Sequence, residues 1–374
     1  MLTILSGILS GGISTTAFAQ DEQTIACITM TGTSASAQTD FAAAADFEET
    51  PLSPLSEEEL RDLTLYPGGM PFGVRFMTEG VTVVGFCDFE DHGQKINPAL
   101  AAGLKIGDVI LRVDDLPLES ATDLTDRIEA CNGKSLAVQC RRGKKDLELH
   151  LTPAWSTAEN RYKTGMWVRD SGAGIGTVTF LLPESGAFAG LGHGICDAES
   201  GKPIPIRRGS ISDVTISSVV KGTPGNPGEL KGYFNPGKVG SLLGNSPFGV
   251  WGVYSELPAL SSSALHIASR QEVKEGDATI LCTLADNATR EYTVRLSNVN
   301  RETDGAKCFT IEVTDPRLLS QTGGIVQGMS GSPILQNGKL VGAVTHVLVN
   351  DPTTGYGIFL ENMLARMPVV RERV

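Results

Sequence analysis

A serine hydroxyl becomes a nucleophile where its Oγ stands clear of its neighbours and a base can take its proton. The run Gly328-Met329-Ser330-Gly331-Ser332-Pro333 meets the first condition. Glycines on both sides of Ser330 permit a sharp turn that exposes the hydroxyl and aims nearby backbone N–H groups at one point, where an oxyanion would develop. Ser332 is the rival hydroxyl, set back because Pro333 follows it directly. The base must come from five histidines. His92 and His150 read as surface or packing residues, and His266 has no small residues around it to open a cleft. His346, in an apolar strand, reads as a packed core residue. His193 differs: it lies between Gly192 and Gly194, just after a β-like run. For an acid to orient it, Asp315, Asp213 and Asp197 stay open, and Asp315-Pro316 is equally readable as a simple turn.

The elements that position these residues are strands. With 43 glycines in 374 residues, the chain favours a turn-rich β architecture. From residue 165 onward, β-like runs over 177–182, 214–220, 279–284, 291–296, 308–313 and 340–349 predict a pair of barrels or a sandwich. Residues 334–342 read as a hairpin turning at Asn337-Gly338, and one closing helix is expected over 360–367. Upstream, strands over 72–77, 81–86, 109–113, 136–140 and 147–151 alternate with helices over 98–102 and 122–131, stopped by Gly103 and Gly133.

Composition narrows the function classes. A net charge of -12 argues against a sequence-independent grip on nucleic acid, which needs clustered Lys and Arg. The seven cysteines form no C-x-x-C pair and no zinc-ligand spacing, so neither metal nor cofactor is implied, although Cys131 and Cys140 could pair within one domain. Residues 1–19 are uncharged and apolar and end Ala17-Phe18-Ala19 before Gln20, the pattern of an export signal, although no Lys or Arg precedes Arg61. Residues 20–62 are rich in Ala, Ser, Thr and acidic residues and read as a flexible linker.

Residues 97–110, Asn97-Pro98-Ala99-Leu100-Ala101-Ala102-Gly103-Leu104-Lys105-Ile106-Gly107-Asp108-Val109-Ile110, resemble a PDZ domain of bacterial proteases. That resemblance implies a peptide-binding carboxylate loop over 67–74, with Gly68, Gly69, Phe72 and Gly73 forming a nest of backbone N–H groups. The Ser330 turn resembles the G-x-S-G-x-P turn of chymotrypsin-like proteases, which implies an oxyanion hole from the N–H groups of Gly328 and Ser330. Gly172 to Phe180, Leu191-Gly192-His193-Gly194-Ile195, Lys221 to Glu229, and Gly323 to Ile334 running on through Thr345-His346-Val347 together resemble the stage IV sporulation protein B peptidases. The resemblance implies a triad of His193, Asp315 and Ser330. It further implies export to the space between forespore and mother cell, self-cleavage, and cleavage of a membrane-bound regulator of an intramembrane protease that activates a late sigma factor.

The expected fold is therefore mainly β: a signal-like segment (1–19), a linker (20–62), a PDZ domain (63–154) and a chymotrypsin-like double β-barrel serine peptidase domain (155–374). Two readings compete with it, a non-catalytic PDZ-containing peptide-binding protein and a general exported quality-control serine protease. The latter ordinarily places its protease domain before the PDZ domain.

Overall fold

Short Val-, Thr- and Ile-rich runs between Gly and Asn turns fold here almost entirely as antiparallel strands. The computed structural model describes residues 24–26, 56–196, 203–260 and 262–367, so the signal-like segment lies outside the described residues. A short strand β1 (Thr24–Ala26) comes first. Helix α1 (Glu57–Asp62) starts at a capping box: the Ser56 Oγ accepts from the Glu59 N–H, and the Glu59 carboxylate accepts from the Ser56 N–H. Leu60, among the last residues assigned to the linker, is buried, as is Leu63.

Next come β2 (Thr64–Pro67) and the long β3 (Pro71–Phe86). The PDZ elements follow: α2 (Pro98–Ala101), β4 (Val109–Val113), α3 (Ala121–Ala130), β5 (Leu136–Arg142) and β6 (Lys145–Leu151). Both expected helices form, one capped by Asn97 with Pro98 at its first turn and the other capped by Ser120. Their core holds Val81, Val83, Leu124, Ile128 and Val138. The chain then enters β7 (Met166–Leu182), a strand of 17 residues.

The first barrel closes through β3, β7, β8 (Ala187–Gly190), β9 (Ile206–Val220), β10 (Gly240–Ser246) and β11 (Gly249–Tyr254). In space the order runs β3-β7-β8-β11-β10-β9 and back to β3. The second barrel uses β12 (Gly276–Thr283), β13 (Thr289–Ser297), β14 (Phe309–Val313), β15 (Pro333–Gln336), β16 (Lys339–Leu348) and β17 (Asp351–Phe359). It closes in the order β16-β15-β12-β13-β14-β17 and back to β16. Two helices complete it, α4 (Pro316–Thr322) and α5 (Leu360–Leu364). The six described cysteines, Cys131 and Cys140 among them, are free thiols. No helix among the described residues is long and apolar enough to cross a membrane.

The first half of β3 corrects the expected carboxylate loop. Residues 71–77 pair with β7 and β9 as a wall of the first barrel. The Phe72 ring is buried in that barrel, edge-on to Phe188 at 5.6 Å. The Gly68 and Gly69 N–H groups donate to the Thr179 and Val178 carbonyls, so they are not available to a carboxylate. A Cβ on Gly73 would stand 2.2 Å from the Phe234 ring, so glycine there admits a packed aromatic rather than a ligand. Gly68, Gly69, Phe72 and Gly73 are thus barrel residues, and the PDZ domain is threaded between the first two strands of the barrel. Phe72→Ala should therefore cost about 3–5 kcal/mol, read as a large drop in the thermal midpoint of the full chain. A ring lining an open peptide groove would leave that midpoint near wild type.

Candidate active site

Each turn that could do chemistry sits at the seam between the barrels. The Ser330 turn leads into β15, and three of its carbonyls are held from β7 on the opposite barrel. The Thr177 Oγ1 donates to the Gly328 carbonyl at 2.8 Å, the Thr177 N–H to the Ser330 carbonyl at 3.0 Å, and the Thr179 Oγ1 to the Gly331 carbonyl at 2.8 Å. Both threonines are buried. Glycine is required at 331, where φ is +94° and a Cβ would lie 2.0 Å from the Thr177 carbonyl and 2.4 Å from the Leu191 N. That closeness also brings the Ser330 turn against the turn carrying His193.

The His193 turn is strained toward this seam. Leu191 takes φ +70° and Gly192 takes φ +67°, and a Cβ on Gly192 would meet Thr345 at 3.0 Å. The His193 Nδ1 lies 2.8 Å from the Gly194 carbonyl. A carbonyl only accepts, so Nδ1 carries the proton and Nε2 presents its lone pair. That Nε2 is buried and has no hydrogen-bond partner among the described residues. Burial pushes the His193 pKa down to about 4, leaving a neutral imidazole at neutral pH. This is the tautomer and charge that a general base needs.

Ser330 is fully buried, and its Oγ donates to the Thr345 carbonyl at 2.6 Å. In this conformation the hydroxyl makes no hydrogen bond to His193. Gly331, Met329 and Ser332 all donate their backbone N–H groups to carbonyls. Among the described residues, no acceptor takes the N–H of Gly328 or of Ser330. Two uncommitted amides, the serine's own and one two residues before it, are donors available to an oxyanion.

Asp315 sits elsewhere. It is the N-cap of α4, with Pro316 at the first helical position, where the sequence reads as a simple turn or as the orienting acid. Its carboxylate accepts from the Thr293 N–H and from the Arg317 N–H, Nε and Nη2. The Arg317 guanidinium holds the carboxyl well below the usual carboxylate range. No hydrogen bond joins Asp315 to His193 among the described residues. Asp213 is exposed on β9 and makes none to His193 either, while Asp197 lies outside the described residues. The Gly194 carbonyl occupies the position at Nδ1 that an acid would take.

His346, set aside in the sequence as a core residue, faces His193 with ring centroids 5.2 Å apart. Its Nδ1 is buried and has no partner among the described residues, and burial together with His193 pushes its pKa down to about 3. Two further positioning residues, Thr177 and Thr179, were missed. Their only sequence signal was the Thr-Val-Thr alternation, which places both hydroxyls on one face of a strand. Among the described residues, no group of three or more His, Cys, Asp or Glu could hold a metal ion.

Thr177→Val keeps the shape of the side chain and leaves the buried Gly328 carbonyl unpaired, a loss of about 1–3 kcal/mol. Felt at the transition state, that corresponds to roughly a tenfold to hundredfold slower reaction. The rate at which a fluorophosphonate labels Ser330 should fall by this factor, and Thr177→Ser should restore it.

The family model described as SpoIVB peptidase S55 matches residues 160–364, and a PDZ domain model matches residues 71–152. Among solved structures, the PDZ domain of the SdrC-like protein from Listeria monocytogenes is 20% identical over 24% of this chain and 87% of its own, with a TM-score of 0.20. The Rv3671c protease from M. tuberculosis in its active form is 14% identical over 52% of this chain and 72% of its own, with a TM-score of 0.31. Its inactive form is 14% identical over 52% and 84%, with a TM-score of 0.29. No curated protein matches the chain. With its peptidase model covering more than half of the 374 residues and a PDZ domain ahead of it, this chain belongs to the SpoIVB peptidase S55 family and is a PDZ-containing serine peptidase.

Proposed function

We propose that this peptidase is a self-processing endopeptidase that cuts a membrane-associated regulatory protein in a sporulation signalling cascade leading to sigma factor activation. Ser330 is the nucleophile and His193 the base. The observation that carries this reading is the contact of the two turns, with residue 331 against Leu191. On rotation away from the Thr345 carbonyl, the Ser330 Oγ gives its proton to the His193 Nε2 and attacks the scissile carbonyl. The N–H groups of Gly328 and Ser330 take the oxyanion. His193 then returns the proton to the leaving amine, and water hydrolyses the acyl-enzyme by the same steps reversed.

Self-processing is supported by β1. Its residues pair antiparallel with β16, Ala26 opposite His346 and Thr24 opposite Leu348. This lays a segment of the chain's own N-terminal region beside Thr345, whose carbonyl holds the Ser330 hydroxyl. The family relationship supports the rest: export to the space between forespore and mother cell, membrane proximity, and a membrane-bound regulator as the protein substrate. No nucleic acid and no cofactor enter this reading.

The test is mass spectrometry of the purified wild-type chain beside Ser330→Ala. Wild type should lose part of its N-terminal region on incubation and take a fluorophosphonate on Ser330; the variant should do neither. Equal processing of both, with no label on wild type, would favour a non-catalytic peptide-binding protein.

Asp315→Asn separates a triad acid from a helix cap. Asn caps as well as Asp, and the His193 Nδ1 already has an acceptor in Gly194. Labelling of Ser330 in Asp315→Asn should stay within about tenfold of wild type. A loss near 10⁴, the size expected when a triad carboxylate is replaced by its amide, would return Asp315 to the acid role.

A further inference from the structure

Beyond residue 80, β3 leaves the first barrel and becomes a strand of the PDZ domain, with Val81 and Val83 in its core. The start of β7 pairs with this half, antiparallel. Met166 lies opposite Phe86, Trp167 opposite Gly85, Val168 opposite Val83 and Arg169 opposite Thr82. Helix α3 closes the other side. Met166 and Val168 pack against the cluster that contains Leu124 and Ile128 of α3, whereas Trp167 faces solvent at 60% exposure. The Asp170 carboxylate accepts from the Ala121 N–H in the first turn of α3 at 2.8 Å. Ahead of the segment, the Gly165 carbonyl accepts from the Cys87 N–H at 2.8 Å and from the Asn97 Nδ2 at 2.9 Å.

An extended segment laid along a sheet edge, backed by a helix, with alternate side chains in apolar pockets, is how a PDZ groove takes a peptide. Here the occupant belongs to the chain itself. It does not end in a carboxylate; it continues as β7 into the first barrel and supplies Thr177 and Thr179 to the Ser330 turn. Two register shifts interrupt its pairing with β3, at 167/168 and 169/171. A one-residue slip in a strand exchanges its two faces. Freed from the groove, β7 has those shifts as the place to slip, and a slip that reached Thr177 would turn its hydroxyl from the Gly328 carbonyl.

We infer that residues 166–170 are the resident ligand of the PDZ groove, and that their seating sets the register at which β7 holds the nucleophile turn. The PDZ domain is then a clamp on the peptidase's own strand, not a free acceptor of peptide termini. Covalent attachment gives the segment an effective concentration on the order of millimolar, against which a free peptide competes poorly. The inference uses the reading of Ser330 as nucleophile only for its rate measurement.

The test compares Val168→Asp, Val168→Ile and Trp167→Ala in the full chain by hydrogen exchange and by fluorophosphonate labelling. In Val168→Asp the amides of 82–86 and 166–169 should lose protection while those of 340–347 in the second barrel keep it, which shows that the chain remains folded. Labelling of Ser330 should fall by roughly tenfold to a hundredfold, the scale of loss that a misplacement near 1 Å brings. Val168→Ile and Trp167→Ala should match wild type in both. Unchanged protection in Val168→Asp would overturn the seating of 166–170 as a held ligand. Lost protection with unchanged labelling would overturn the coupling to the nucleophile turn. An unlabelled wild type would instead count against Ser330 as nucleophile, and the exchange data would still decide the groove.

Discussion

Three hydrogen bonds from one strand hold the reactive turn: two threonine hydroxyls and one backbone N–H of β7 take the carbonyls of Gly328, Ser330 and Gly331. The turn belongs to the second barrel and the strand to the first, so these bonds also join the barrels at the point where chemistry would occur. They are buried, and a buried carbonyl left without a donor is costly. The barrel seam is therefore specified most strongly where Ser330 sits. Glycine at 331 is a consequence, since any side chain there would displace the Thr177 carbonyl or Leu191. The His193 turn is pulled to the same seam by the same contact.

The site as folded is closed and out of balance. The Ser330 Oγ is satisfied by the Thr345 carbonyl, while the Nε2 of His193 is buried with nothing to accept from among the described residues. With the hydroxyl on the Thr345 carbonyl, the imidazole nitrogen is left without a donor among the described residues. A neutral hydrogen bond to that nitrogen is worth about 1 kcal/mol, so the site rewards a hydroxyl that reaches it.

What was legible in the sequence was local. Glycines around Ser330 and His193 mark turns whatever the rest of the chain does, and the runs of β-branched residues became strands close to where they were expected. Both PDZ helices also carry their caps in the sequence, at Asn97 and Ser120. The glycines at 68, 69 and 73 failed for a physical reason. A glycine that opens a nest for a ligand and one that admits a neighbouring Phe or backbone carbonyl look identical in one dimension. Asp315 failed similarly, because the partner of a carboxylate is chosen in three dimensions, and Arg317 lies only two residues away. Helix α4 was legible and was passed over, since Asp-Pro is a cap and first helical residue as readily as a turn. His346 was not legible, because nothing in an apolar run says which neighbour one ring will face.

The threading of the PDZ domain between β3 and β7 makes the two domains inseparable in a mechanical sense. Both strands cross the boundary, and they pair with each other on both sides of it. A separate module on a flexible linker would influence the peptidase only through its surface. A module inserted between adjacent barrel strands acts on the barrel wall itself, because β3 and β7 pair on both sides of the boundary, with two register shifts between the PDZ half and the barrel half. That pairing ends at Thr177, two residues before Thr179. The stability of the reactive turn thus depends on packing around Met166 and Val168 in another domain, which explains why a peptidase of this shape would keep its PDZ domain ahead of, and interlaced with, the barrel that supplies its base.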